Sequence, residues 1–101
     1  MDERYERGRQ RFLEVHDEKA LRAVEGLGEL GAVVALTALG RSSQLPQHLR
    51  AALKTGLTEA ELREAIMLTA SIAGFPPAMN ATATLKNVLA ERARDDQDPS
   101  S

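Results

Sequence analysis

The sequence has no cysteine and no tryptophan, and its 101 residues include one tyrosine, Tyr5, and two phenylalanines, Phe12 and Phe75. Without cysteine there is no disulfide framework, and no thiol for redox, nucleophilic or thiolate-metal chemistry. The two histidines, His16 and His48, are too few to build a zinc site by themselves, so no metal is expected. A charge of one sign is missing too. Thirteen Lys and Arg stand against fifteen Asp and Glu, a net charge of -2, so no basic excess exists to neutralise a phosphate backbone and no nucleic-acid partner is expected. The longest apolar run, Gly31 to Leu39, falls far short of the roughly 20 residues that a membrane span needs. The charge-dense segment from Met1 to Gln10 has no apolar core of an export signal. These absences predict one small cytoplasmic domain with no membrane partner.

The residues that are present repeat with helical period, and no stretch alternates long enough for a strand, so the expected fold is all-α with five helices over residues 1–94. The spacing predicts a first helix from Asp2 to Leu27, with Phe12, His16, Ala20, Ala23 and Leu27 on one face and a break at Gly26 to Gly28. A second, nearly all-apolar helix follows from Glu29 to Leu39 and is closed by Gly40. The third runs from Gln44 to Thr55, with Ser42 or Ser43 available as a cap and Pro46 tolerated in its first turn. Thr58 and Glu61 have the spacing of a capping box, flanked by Leu57 and Leu62 as a hydrophobic staple. The fourth helix then runs from Glu59 to Ala73, with Leu62, Ala65, Ile66, Thr69 and Ile72 inward. After Gly74 to Pro76 a fifth helix is expected from Pro77 to Arg92, turning Ala78, Ala81, Leu85, Val88 and Leu89 inward and Asn80, Thr84, Asn87 and Glu91 outward. The acidic, polar stretch 95–101 reads as a disordered tail. So small a core, with so few large aromatics, favours association into a homo-oligomer.

Few residues are suited to chemistry. His48 falls within the apolar stripe of the third helix, with Leu45, Leu49, Ala52 and Leu53, while Gln47, Arg50 and Lys54 are read as facing away. Two readings are open there: a core histidine satisfied by a backbone carbonyl, or a general acid or base. His16 sits among Glu14, Asp17 and Glu18 and reads as a surface residue. Glu29 opens the apolar helix, where a carboxylate suits the helix dipole; its other role would be to fix the tautomer of His48. Arg41 lies in the turn before the third helix, as a solvated residue or as a bidentate anchor for an anion.

Four segments in this order carry a resemblance: Ala35 to Arg41 (ALTALGR), His48 to Leu53 (HLRAAL), Gly56 to Glu64 (GLTEAELRE), and Gly74-Phe75-Pro76 before a helix of small residues. Together with the opening Asp2 to Gly8 (DERYERG), they resemble the carboxymuconolactone decarboxylase and alkylhydroperoxidase-like family of all-α proteins. The peroxidase branch of that family uses a glutamate, a Cys-x-x-Cys pair and a histidine. These positions fall on Glu29, Arg41, Gln44 and His48, so both thiols are absent and a peroxidase role would need a thiol from elsewhere. The chain is closer to the decarboxylase branch, although it lacks a segment of roughly 30 residues, one or two helices long, that such members carry between Gly28 and Glu29.

The resemblance implies cofactor-free loss of carbon dioxide from a carboxylated unsaturated lactone in aromatic-acid catabolism. His48 would be the proton donor, Glu29 would orient it, Arg41 would hold a substrate carboxylate, and Asn80 would donate a hydrogen bond to the lactone. The partner implied is therefore a small-molecule carboxylate, and the assembly a homo-oligomer built as a trimer of dimers. The alternative reading is a shortened, non-catalytic member serving as a binding or scaffold subunit; a peroxiredoxin-type antioxidant ranks below both.

Overall fold

The computed structural model describes residues 3–97, which form five helices and, among the described residues, no strand. They are α1 (Glu3–Val15), α2 (Glu18–Leu39), α3 (Leu45–Lys54), α4 (Glu59–Ala73) and α5 (Phe75–Gln97). Asp2, where the first helix was expected to start, and residues 98–101 of the expected tail lie outside the described residues. No helix among those described is long and apolar enough to cross a membrane.

The all-α reading holds, and the first helical boundary is corrected. The break expected at Gly26 to Gly28 falls instead at His16 and Asp17. Asp17 is extended, at φ -85° and ψ 173°, and its carboxylate accepts the Ala20 N–H at 2.8 Å, which starts α2 by satisfying one of its free amide groups. Gly26 lies inside α2 for a packing reason: a Cβ there would stand 3.1 Å from the Thr55 hydroxyl, so the absent side chain lets the loop after α3 approach. Moving the break also changes the face. Ala23 and Leu27, expected on one face with His16, are exposed, and His16 is exposed as its surface reading predicts; Phe12 stacks on His16 with ring centroids 4.4 Å apart.

Gly40 ends α2 as expected, at φ 70°, a conformation that glycine adopts without the steric cost other residues meet. The Arg41 N–H then reaches the Leu36 carbonyl at 2.9 Å. Neither serine caps α3. The capping position is Gln44, without a side-chain bond, and the Arg41 carbonyl accepts the N–H groups of Gln44 and Leu45 instead. At α4 the capping box is present: the Thr58 hydroxyl accepts the Glu61 N–H at 3.1 Å, and Glu61 accepts the Thr58 N–H at 2.9 Å. α5 begins two residues before the expected Pro77, because Pro76 and Pro77 both fit a first turn, where no N–H is needed. It continues through Gln97, so Asp95 and Asp96 belong to the helix and not to a tail.

The core lies between α2, α3, α4 and α5. Val33, Leu49, Leu62, Ile66, Leu85 and Val88 are fully buried, and Leu57, Leu30 and Leu89 pack against them. Ile72 is the exception among the expected core residues. It is 89% exposed, because the buried stripe of Leu62, Ile66 and Thr69 is continued at helical spacing by Ala73. The buried hydroxyls of Thr37 and Thr69 donate back to the carbonyls of Val33 and Ala65, and among the described residues no buried side-chain polar atom lacks a partner. α1 contributes no buried residue, so the four later helices form the core and α1 lies on their surface.

The capping box gives a prediction with a pH sign. The hydrogen bonds from the Thr58 backbone and hydroxyl hold the Glu61 carboxyl below its usual range, so the box contributes fully above the ordinary carboxylate range and is lost only as pH falls below it. Thr58→Ala is expected to cost about 1 kcal/mol in urea unfolding at pH 7. The difference from the wild type should shrink once the medium is acid enough to protonate Glu61.

Candidate functional site

Three helix faces converge on one open cavity of about 790 Å³. α1 supplies Arg4, Tyr5, Gly8, Arg9 and Phe12, which recur at alternating steps of one and three residues along one face. α2 supplies Leu21, Val24, Glu25, Gly28, Glu29 and Ala32, in the same periodicity. α3 and the residue after it supply His48, Ala51, Lys54 and Thr55. The cavity exists because α1 packs on α2 without entering the core and leaves an open space towards α3.

His48 and Glu29, singled out from sequence, meet here. His48 Nδ1 lies 2.8 Å from Glu29 Oε2, so the ring N–H donates to the carboxylate. Their side chains are 34% and 26% exposed, which leaves the pair reachable from solution while protein covers most of it. The side chain thus bonds a carboxylate at a cavity wall and not a backbone carbonyl in the core. With Nδ1 committed to Glu29, Nε2 is the nitrogen left to exchange a proton.

One turn earlier on α2, Glu25 forms a second pair. The Tyr5 hydroxyl donates to Glu25 Oε2 at 2.9 Å and ties α1 to α2. That hydrogen bond, with a smaller contribution from burial, holds the Tyr5 phenol above its ordinary range. Glu25 and Glu29 are therefore four residues apart on one face of α2, each bonded to an acid–base group from another helix, beside the same cavity.

Arg41 and Asn80 do not join them. Arg41 is exposed in the turn after α2 and does not line this cavity. Asn80 is exposed on α5 and borders a separate groove of about 150 Å³ with Leu36, Thr37, Pro76 and Pro77. Within one chain, neither residue is therefore brought together with His48. The sequence reading had missed Tyr5, Arg9, Glu25 and Lys54. Lys54 was read as facing away because the α3 stripe was aligned on the core, whereas the cavity lies at the edge of that stripe, at His48, Ala51 and Lys54. The four-residue steps from Tyr5 to Arg9 and from Glu25 to Glu29 were the available signal. Among the described residues no group of three or more His, Cys, Asp or Glu is placed to hold a metal ion.

The chain's residues 11–87 match the family model described as the carboxymuconolactone decarboxylase family. No curated protein matches the chain in a sequence search. The matched span includes Glu25, Glu29, His48 and Lys54, while Tyr5 and Arg9 precede it.

Removing the α1 tie tests this geometry. Tyr5→Phe is expected to speed amide hydrogen exchange across α1 several-fold at neutral pH while α3 to α5 keep wild-type protection. Because the phenol is held above its ordinary range, the tie contributes below about pH 10 and is lost as pH rises further, so the two proteins should converge in alkali. Unchanged exchange in α1 at neutral pH would show that the hydrogen bond does not hold it.

Proposed function

The chain belongs to the carboxymuconolactone decarboxylase family, and from that premise we propose that it removes carbon dioxide from a carboxylated unsaturated lactone, with His48 as proton donor and Glu29 as its positioning residue. The observation that supports this reading is the 2.8 Å bond between His48 Nδ1 and Glu29 at the wall of a cavity of about 790 Å³. In such a reaction the bond from the ring carbon to the carboxylate breaks, carbon dioxide leaves, and the electron pair stays on the ring as a dienolate. A proton must then reach carbon. An imidazole protonated on both nitrogens delivers it from Nε2, while the Nδ1 proton stays with Glu29 and fixes the ring plane. Solvent returns the proton to His48, a step its partial exposure permits. Phe12, Leu21 and Val24 offer the apolar surface that a ring substrate requires beside that acid.

We further propose that the protein works as a homo-oligomer. Leu68, Ile72, Phe75 and Met79 are all more than half exposed, along the outer side of α4 and the start of α5, at steps of three or four residues. Apolar side chains aligned in this way mark an association surface more often than scattered ones do. The mass of one chain is 11.0 kDa. Light scattering at micromolar concentration should return a multiple of it, and Ile72→Glu should lower that mass. A wild-type mass of one chain would contradict the assembly.

The decarboxylase reading is tested by turnover. Purified protein is expected to consume 4-carboxymuconolactone with release of carbon dioxide. His48→Ala should lower kcat by about 10²- to 10⁴-fold, the usual share of a general acid, and Glu29→Gln by less. A wild-type protein without turnover would sink the proposed activity.

A further inference from the structure

The cavity carries a charge pattern that the proton chemistry does not use. Its lining holds three cations, Arg4, Arg9 and Lys54, against two carboxylates, Glu25 and Glu29, in a chain whose overall charge is -2. Both carboxylates are engaged, by Tyr5 and His48. Arg4 also has a partner. Arg9 and the exposed Lys54, like Arg11, Arg22 and Arg41 elsewhere, form no ion pair among the described residues, but these two line the cavity. Arg9 is moreover partly buried on the face of α1 that closes the cavity. A half-covered guanidinium without an anion, beside an open apolar cavity, is an incomplete electrostatic arrangement.

We infer that Arg9 and Lys54 are the anion-recognition residues of this cavity, and that they bind the carboxylate of a ligand whose apolar ring lies against Phe12, Leu21 and Val24. The inference rests on the reading of this cavity as the site, and adds which groups hold the ligand's charge. Backbone placement supports it. Thr55 lies against Gly26, so the Lys54 end of α3 stands beside the Glu25–Gly26 level of α2, about one turn from Glu29. A carboxylate held there leaves the body of the ligand directed along α2 towards His48. α1 supplies Arg9, so binding the anion also draws α1 onto the cavity, alongside the Tyr5–Glu25 tie. These two residues take the part that the sequence had given to Arg41.

Titration calorimetry with benzoate and its neutral amide, benzamide, tests the assignment on the full chain without requiring turnover. Benzoate should bind at least about tenfold more tightly than benzamide, and the preference should shrink as salt is raised. Arg9→Met and Lys54→Met should each weaken benzoate by about tenfold and leave benzamide unchanged, whereas Lys86→Met, on the exposed side of α5, should alter neither. Circular dichroism confirms that each variant is folded. Equal affinity for the two probes, no benzoate binding up to millimolar concentration, or benzoate affinity indifferent to both substitutions would overturn the inference. Carboxylate selectivity in a protein without lactone turnover would leave this inference standing and remove the decarboxylase reading. Turnover that is indifferent to Arg9 and Lys54 would do the reverse.

Discussion

α3 meets α2 at two levels, one of them the hydrogen bond from His48 to Glu29. At one level the missing side chain of Gly26 admits Thr55; at the other, the carboxylate of Glu29 meets the imidazole of His48. Between them the apolar stripe of α3, led by Leu49, Ala52 and Leu53, is buried against the rest of the core, which sets how α3 is rotated and hence where His48 points. A side-chain hydrogen bond is worth only about 1 kcal/mol of net stability, too little to orient a helix. The packing therefore fixes the pair, and the pair fixes the tautomer.

Stability and site chemistry are divided among the helices. The buried core belongs to α2 through α5, and α1 adds nothing to it, yet α1 supplies one wall of the cavity with Tyr5, Arg9 and Phe12. An element attached by a hydrogen bond and partly buried side chains opens at lower free energy than one built into the core. The cavity thus has a rigid floor carrying the acid–base pair and a more loosely held wall carrying an unpaired cation. In that division, movement of α1 leaves the packing that positions His48 undisturbed.

Much of this was legible in the sequence, for physical reasons that differ by element. The fourth helix was readable because its start is a local event: Thr58 and Glu61 satisfy each other's backbone across three residues, and nothing distant is needed. His48 and Glu29 could be named because the residue types are rare in an apolar stripe and carry their own chemistry, and the structure brings them together. The first boundary was misread because Gly26 looks like a helix end in isolation, and only the approach of Thr55 explains a glycine there. The cations that line the cavity are illegible in the sequence for a related reason. Arg41 stands next to the right helix in sequence but outside the cavity in space, while Arg9 and Lys54 reach the cavity only once α1 folds over α2. The Asp17 cap that makes this fold-back possible is a local signal, hidden because the charged periodicity around it runs on uninterrupted.

Glu29 holds His48 by Nδ1, which leaves Nε2 as the ring nitrogen not committed to that bond. Long-range proton–nitrogen correlation spectra of protein labelled with ¹⁵N in its histidines measure this directly. Neutral His48 is expected to carry its proton on Nδ1 in the wild type, and to shift towards the Nε2-protonated tautomer in Glu29→Gln. A wild-type His48 protonated on Nε2, with a spectrum indifferent to the loss of the Glu29 charge, would contradict the account.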